Sequence, residues 1–176
     1  MNSHFSAWER GLAVFGAVLV SACVSTGDGN LKPGASTLPE VIAEMGPAAM
    51  TWKNPDGSEQ LAFPRGPEGT QTFMAYVGSD GKLQSIENVL DTAHFSLVQV
   101  GMSKDEVLRI LGPSGSRWTQ IYTRSNQLAW SWLTCDNWNR QEFFDVMFDL
   151  TSGFVHSTGR HPNLVGLSGM QPPCGQ

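Results

Sequence analysis

One block of this sequence occurs twice, and the repeat constrains the fold of the chain more than any other feature. Residues 37–52 and 103–118 align without a gap, and they share a Glu-Val pair, a Gly-Pro pair and a tryptophan at matching positions. Thr37 and Ser103, which begin the two blocks, also correspond. Because the shared residues have linked structural roles, the pattern predicts one structural unit in two tandem copies.

Each block has the pattern of a short helix with defined ends. Ser103 and Glu106 have the spacing of a capping box, as do Thr37 and Glu40, so we interpret both glutamates as helix caps rather than catalytic acids. A Gly-Pro pair ends each helix, because glycine adopts the left-handed conformation and proline cannot continue the helix. The apolar stripes at helical spacing are Val41, Ile42 and Met45 in the first block and Val107, Leu108 and Leu111 in the second.

Strand patterns follow each predicted helix. They cover residues 61–63, 72–77 and 83–86 in the first unit, and 117–123, 127–133, 143–149 and 154–157 in the second. Residues 86–100, between the units, predict a connecting helix with Val89, Leu90, Leu97 and Val98 directed inward. We therefore expect an α+β fold of two tandem units, in which short helices pack on one face of an antiparallel sheet.

The N-terminus predicts export and a lipid anchor. The apolar run from Gly11 to Val20 is too short to span a membrane, and small residues precede Cys23. Val20-Ser-Ala-Cys23 resembles the lipobox of bacterial lipoproteins, which implies that the thiol of Cys23 carries a lipid. Val24 follows the cysteine, and the absence of Asp at this position is similar to the outer-membrane sorting signal. An ordinary secretory signal and an uncleaved anchor are the alternatives.

These patterns divide the chain into four segments: a lipoprotein signal peptide at 1–22, a flexible tether at 23–36, a first α+β unit at 37–89, and a second unit with a C-terminal tail at 90–176. The net charge of −5 argues against nucleic acid as a partner, and the hydrophobic content of 40 % is that of a globular chain. Cys135 and Cys174 form an even pair in an oxidising compartment, so we expect a disulfide; two separately buried thiols are the alternative.

The second unit resembles a known family. Val100-Gly-Met-Ser-Lys-Asp-Glu-Val-Leu-Arg-Ile-Leu-Gly-Pro113 is similar to the turn-helix-turn signature of the SmpA/OmlA family, the BamE-like outer-membrane lipoproteins. Phe148-Asp149 and Gly153-Phe-Val155 resemble the closing hairpin of that family, so the match covers about residues 90–158. The resemblance implies two BamE-like units and a role in outer-membrane assembly. Secreted β-lactamase-inhibitor proteins are also built from a tandem pair of a related unit.

No motif of catalysis or metal binding stands out in the sequence. There is no His-Glu-x-x-His, Gly-x-Ser-x-Gly, phosphate loop or Cys-x-x-Cys. His156 and His161 have no third ligand nearby in sequence, so we interpret them as solvated strand-end residues rather than a metal site. Asp145 and Asp149 are expected on the wet face of a strand. We therefore expect no enzymatic activity, no cofactor and no metal.

The tryptophans are the candidate partner-binding residues. Trp52 and Trp118, equivalent in the repeat, are expected in the core. Trp130 and Trp132 share one face of a strand, so they belong either to the core or to an aromatic interface, whereas Trp138 lies in a polar loop and is the best interface candidate.

The combined expectation is a lipoprotein on the periplasmic face of the outer membrane, which acts as a scaffold and binds an envelope protein, such as a component of the outer-membrane assembly machinery. The alternative is a tandem-domain inhibitor or binding protein that grips a periplasmic protein with an aromatic sheet face. The two differ in the partner that should co-purify.

Overall fold

The structure is a computed structural model that describes residues 30–65 and 69–174. The predicted signal peptide, Cys23 and the first part of the predicted tether lie outside these residues. The elements are α1 (Leu38–Met45), β1 (Met50–Lys53), β2 (Glu59–Pro64), β3 (Thr72–Val77), β4 (Leu83–Asn88), α2 (Thr92–Leu97), α3 (Lys104–Leu111), a 3₁₀ turn (Ser116–Trp118), β5 (Gln120–Tyr122), β6 (Gln127–Cys135), β7 (Gln141–Asp149) and β8 (Val155–Pro162). None of the helices in the described part of the chain is long and apolar enough to cross a membrane.

The strands form two four-stranded antiparallel sheets in chain order. The first sheet is β1-β2-β3-β4 and the second is β5-β6-β7-β8, and each strand is hydrogen-bonded to its neighbour in sequence. This confirms the expected α+β class with two antiparallel sheets and few short helices.

The two repeat blocks have the same local structure. The backbone amide of Thr37 donates to the Glu40 carboxylate at 2.7 Å, and the amide of Ser103 donates to the Glu106 carboxylate at the same distance. Each helix ends on a glycine with positive φ, 84° at Gly46 and 70° at Gly112. Thr37 also forms a β-bridge with Lys82, just before β4, and Ser103 forms one with Phe154, just before β8. The structural repeat therefore extends beyond the two sequence blocks.

Helix α1 covers one face of the first sheet. Val41 and Met45 are buried, whereas Ile42, also expected on the apolar stripe, is 42 % exposed. The apolar core that the helix buries consists of Leu61, Phe63, Phe73, Ala75, Val77 and Leu83.

Helix α3 lies between the two sheets and packs on both of them. Val107 and Leu111 are fully buried in the core of the second sheet. Leu108 packs in the opposite direction, against a cluster of Trp52, Ala62, Met74 and Val89 on the face of the first sheet that α1 leaves free. The first sheet is therefore covered on both faces. This differs from the expectation of helices on one face only, and it explains why Thr72–Val77 is apolar almost without alternation.

Polar contacts align α3 with the first sheet. The indole of Trp52 donates to the Asp105 carboxylate at 3.0 Å, and the side-chain amide of Gln60 donates to the backbone carbonyl of Arg109 at 2.5 Å. The guanidinium of Arg109 donates to Asn54 at 3.3 Å and lies 5.5 Å from the centre of the Trp52 ring. The two units thus share an interface with a defined geometry.

The segment between the units differs from the single predicted helix. Strand β4 continues to Asn88, and only Thr92–Leu97 is helical. Asp91 sets the start of this helix, because its carboxylate accepts from the backbone amide of His94 at 2.8 Å. Val89, Leu90 and Val98 are buried as expected, but Leu97 is 52 % exposed.

Three further segments differ from expectation. Met50–Lys53 is an edge strand with a single buried residue, and the predicted strand at 117–123 is a 3₁₀ turn followed by the short β5. The end of the predicted tether packs on the first unit: Leu31 contacts its core, and the amide of Gly34 donates to the carbonyl of Leu83 at 2.7 Å. From Leu31 onward this segment is therefore part of the first unit.

Candidate functional site

Trp130 and Trp132 lie on the face of the second sheet that α3 covers. Trp132 is 2 % exposed, and its indole donates to the carbonyl of Gly112 at 3.2 Å. Trp130 is partly buried at the margin of the core, where its ring meets Phe148 edge-on at 4.8 Å. Both side chains lie on the α3 side of the sheet, because the alternation of β6 directs them there, so they follow the core-packing alternative.

The repeat tryptophans occupy equivalent places with different surroundings. We call the sheet face that carries the repeat tryptophan its Trp face. In the first sheet it consists of Trp52, Gln60, Ala62, Met74 and Tyr76, and in the second of Trp118, Ser131, Leu133, Phe143 and Asp145. Gln60 pairs with Tyr76 across β2 and β3, as Ser131 pairs with Asp145 across β6 and β7.

Trp52 is buried because α3 covers the first Trp face, as the sequence predicts for a core residue. Trp118 is only partly buried and belongs to none of the core clusters of the described residues, so its core assignment is wrong. Its ring packs edge-on against Phe143 at 4.7 Å, and the guanidinium of Arg117 lies 4.6 Å from the ring centre. Phe143 and Leu133 of this face are buried, but Trp118 is partly exposed and Tyr122, beside it, is 46 % exposed. No residue of α1, α2 or α3 lines this exposed part of the face.

The second Trp face contains a depression of about 230 Å³. Trp118 and Phe143 form part of its wall, and its other lining residues are Gln120, Tyr122, Ala129, Ser131, Asp145, Met147 and His161. The sequence does not predict that most of these residues line one site. The alternation of polar and apolar residues in 143–149 does place Asp145 and Met147 on a wet face, but it does not show that Trp118 joins them.

The depression holds one carboxylate, that of Asp145. It accepts a hydrogen bond from the Ser131 hydroxyl at 2.5 Å, and its second oxygen lies 3.0 Å from Nε2 of His161. A serine nucleophile requires the imidazole between the hydroxyl and the carboxylate, so that the imidazole accepts the proton. Here the carboxylate lies between the two other groups. The arrangement suits the binding of a donor or cation better than nucleophilic catalysis.

Trp138 lies on the rigid turn between β6 and β7 and is 79 % exposed. The Asp136 carboxylate accepts from the backbone amides of Trp138 and Arg140, both at 2.8 Å, and from the Arg140 guanidinium. Desolvation raises the pKa of Asp136, but the bonds from Arg140 and Trp138 outweigh it, so the pKa lies below its usual range. The carboxylate is therefore charged at neutral pH and holds the turn in place.

The predicted disulfide fixes the base of the same turn. Cys135 and Cys174 are bonded with their Cα atoms 5.9 Å apart, which confirms the expected pairing. The backbone amide of Cys174 donates to the carbonyl of Asn139 at 2.8 Å, so the tail runs beside the turn. Exposed apolar residues of the tail add to this end of the molecule: Leu164, Val165, Leu167 and Met170.

The titratable residues outside the depression have structural roles or are exposed. No group of three or more His, Cys, Asp or Glu residues capable of holding a metal occurs within 30–65 and 69–174. His156 is exposed, and His161 pairs with Asp145. Asp149 lies outside the depression and accepts from the backbone amides of Thr151 and Ser152, so it fixes the turn after β7.

Comparison of the chain with protein-family models, curated proteins and solved structures finds no significant match.

Proposed function

We propose that this chain is a lipoprotein of the outer membrane, anchored on its periplasmic face through Cys23, and that it acts without enzymatic activity as a binding or scaffolding module in the assembly of outer-membrane β-barrel proteins. The lipobox-like segment Val20–Cys23 supports the anchor, and the similarity of Val100–Pro113 to the SmpA/OmlA signature supports the assembly role and a BamE-like unit. Because the second unit carries the signature, we place the binding function there.

The observation that carries the binding role is the presentation of Trp138. A large aromatic side chain that is 79 % exposed loses little conformational freedom on binding if its backbone is already fixed. Here the backbone is fixed by the Asp136 carboxylate and by the Cys135–Cys174 disulfide. Tryptophan on a rigid support is typical of interface hot spots, which contribute about 2 kcal/mol or more to binding.

The anchor is tested on the N-terminus. Two acyl chains or more hold a protein stably on a membrane, so Cys23→Ser should move the protein to the soluble fraction or block its processing. Mass spectrometry of the mature wild-type N-terminus should find Cys23 lipidated. An unmodified thiol there excludes the anchor.

The binding role is tested by crosslinking in intact cells. A photoreactive amino acid at position 138 should crosslink to an outer-membrane assembly protein, and Trp138→Ala should weaken capture of the same protein. Ile121, apolar and 63 % exposed on β5, provides the matched control position. Equal crosslinking at 121 and 138, or unchanged outer-membrane protein content in cells that lack the chain, contradicts the assembly role.

The open Trp face of the second sheet favours a second candidate function, the grip of a periplasmic protein by an aromatic sheet face. The aromatic residues exposed on this face are Trp118 and Tyr122, with Phe143 buried beside Trp118, instead of the Trp130 and Trp132 suggested by the sequence. This candidate predicts that a soluble periplasmic protein crosslinks at position 122 and that no assembly protein crosslinks at position 138.

A further inference from the structure

The first Trp face shows how a face of this kind is covered. Leu108 of α3 packs against its apolar residues, while the carboxylate of Asp105 accepts the indole hydrogen bond of Trp52. The backbone carbonyl of Arg109, directly after Leu108, accepts from Gln60, while its guanidinium donates to Asn54 and lies 5.5 Å from the centre of the Trp52 ring. The helix therefore presents an acidic residue, an apolar residue three positions later, and a basic residue directly after that.

We propose that the Trp face of the second sheet binds an amphipathic helix of a partner protein in the way that the first Trp face binds α3. The helix carries the same pattern: an acidic residue, an apolar residue three positions later, and then a basic residue. This inference rests on the proposed binding role and adds a second surface and the class of its partner.

Trp118 indicates the acidic residue of the partner helix. The indole of Trp52 is satisfied by Asp105, whereas the indole N–H of Trp118 donates to no residue in the described part of the chain. A helix that buries Trp118 must supply an acceptor, because a buried donor without a partner costs about 1–3 kcal/mol.

Asp145 indicates the basic residue. Ser131 and Asp145 occupy the positions that Gln60 and Tyr76 occupy in the first sheet, so the backbone of the residue equivalent to Arg109 would lie above the Ser131–Asp145 pair. The first sheet has no carboxylate at these two positions, and the guanidinium of Arg109 donates to Asn54 and Asp105 instead. In the second sheet, a basic side chain at the equivalent position would have Asp145 within its reach. Asp145 accepts from Ser131 and pairs with His161 on the other side. A guanidinium or ammonium group that approaches from the solvent side would form an ion pair with this carboxylate.

A second copy of this chain fits the face poorly. Its free helix α1 carries Pro39, Ile42 and Ala43 at the positions of Asp105, Leu108 and Arg109, so it offers neither the acceptor for Trp118 nor the cation for Asp145. The exposed side of α1 also carries Glu40 and Glu44, whose charges would repel Asp145. The charges therefore favour a helix from a different protein.

The test uses a hydrocarbon-stapled, fluorescein-labelled peptide of residues 102–113 as the probe, because this segment carries the pattern in the sequence of α3. Fluorescence anisotropy with the purified full chain should show saturable one-to-one binding. The substitutions Leu108→Asp and Arg109→Glu within the peptide should each weaken binding at least about tenfold, and they cannot disturb the fold of the receptor. On the receptor, Trp118→Phe removes only the indole donor and Asp145→Asn only the charge, and each should weaken binding several-fold.

Trp138→Ala on the receptor should leave peptide binding unchanged, which separates this face from the anchor of the proposed function. Absence of saturable binding, or equal affinity for the wild-type and reversed-charge peptides, overturns the inference. A concentration-dependent dimer in sedimentation velocity that Trp118→Phe abolishes also overturns it, because the face would then take a second copy. None of these results bears on crosslinking at position 138, so the two proposals fail independently.

Discussion

The two cap glycines provide a matched pair of substitutions that measures how closely α3 approaches the first sheet. Gly46 and Gly112 have nearly the same backbone conformation, with φ of 84° and 70° and ψ of −172° in both, and both precede a proline. A Cβ atom at position 46 would meet nothing within 4 Å. A Cβ atom at position 112 would lie 2.8 Å from Cγ2 of Thr72 and 3.3 Å from Cβ of Ala62.

Alanine at position 46 is therefore expected to lower stability through backbone strain alone, and alanine at position 112 through backbone strain and a steric clash. Both positions have a backbone conformation that only glycine adopts readily, which costs alanine about 1–3 kcal/mol. Position 112 adds a steric term of about 1–3 kcal/mol, because Thr72 is 2 % exposed in the interior of a sheet and its β-branched side chain cannot move aside. Gly112→Ala should thus destabilise the protein more than Gly46→Ala by about 1–3 kcal/mol.

Urea unfolding of the oxidised protein measures both variants, with the denaturant slope as a check that the unfolded state is unchanged. Thr72→Ser removes the methyl group that clashes, so the double variant Gly112→Ala/Thr72→Ser should recover most of the steric term. The same second substitution should not rescue Gly46→Ala. If the two glycine variants are equally stable to within about 0.5 kcal/mol, α3 does not press against the first sheet as described.

Three further predictions concern other contacts. Cys135→Ser removes a disulfide between residues 39 apart and should lower the free energy of unfolding by about 4 kcal/mol on the chain-entropy model. If the wild type has the same free energy of unfolding with and without a reductant, the disulfide does not stabilise the fold. Hydrogen bonds from the Ser103 amide and then the Ser103 hydroxyl lower the pKa of Glu106, so the wild type should be more stable than Glu106→Gln above about pH 4.3. This difference in stability should vanish as the pH falls through the lowered pKa, and a difference that does not depend on pH contradicts the cap. Trp138→Ala should change the free energy of unfolding by less than about 0.5 kcal/mol, whereas Trp132→Ala should lower it by about 3–5 kcal/mol. An equal loss of stability in the two variants contradicts the assignment of Trp138 to the surface and Trp132 to the core.

The elements that the sequence predicts well are those with local signals. Both capping boxes, the glycine ends of α1 and α3, and the strand Thr72–Val77 depend on residues close together in the chain. The disulfide follows from the count of cysteines and the expected compartment. In each case the residues that determine the structure are visible in one short stretch of sequence, or there is only one possible pairing.

The elements that it predicts poorly depend on contacts between distant residues. Strand β1 is too short to show a period, and its one buried residue, Trp52, packs against a helix about fifty residues later. Trp118 has the same local sequence pattern as Trp52 but a different environment, because α3 packs against Trp52 whereas no residue of α1, α2 or α3 lines the depression beside Trp118. The depression at Asp145 was missed for the same reason: its lining comes from strands that only the sheet brings together.

The place of α3 between the sheets also determines the order in which the nascent chain can fold. The first sheet is complete in sequence at Asn88, but Leu108 and Gly112, which seal its second face, are synthesised later. Until α3 docks, Ala62 and Met74 have no cover on this face of the first sheet. A fragment of the chain that ends before α3 should therefore expose Ala62 and Met74 and self-associate through this face of the first sheet.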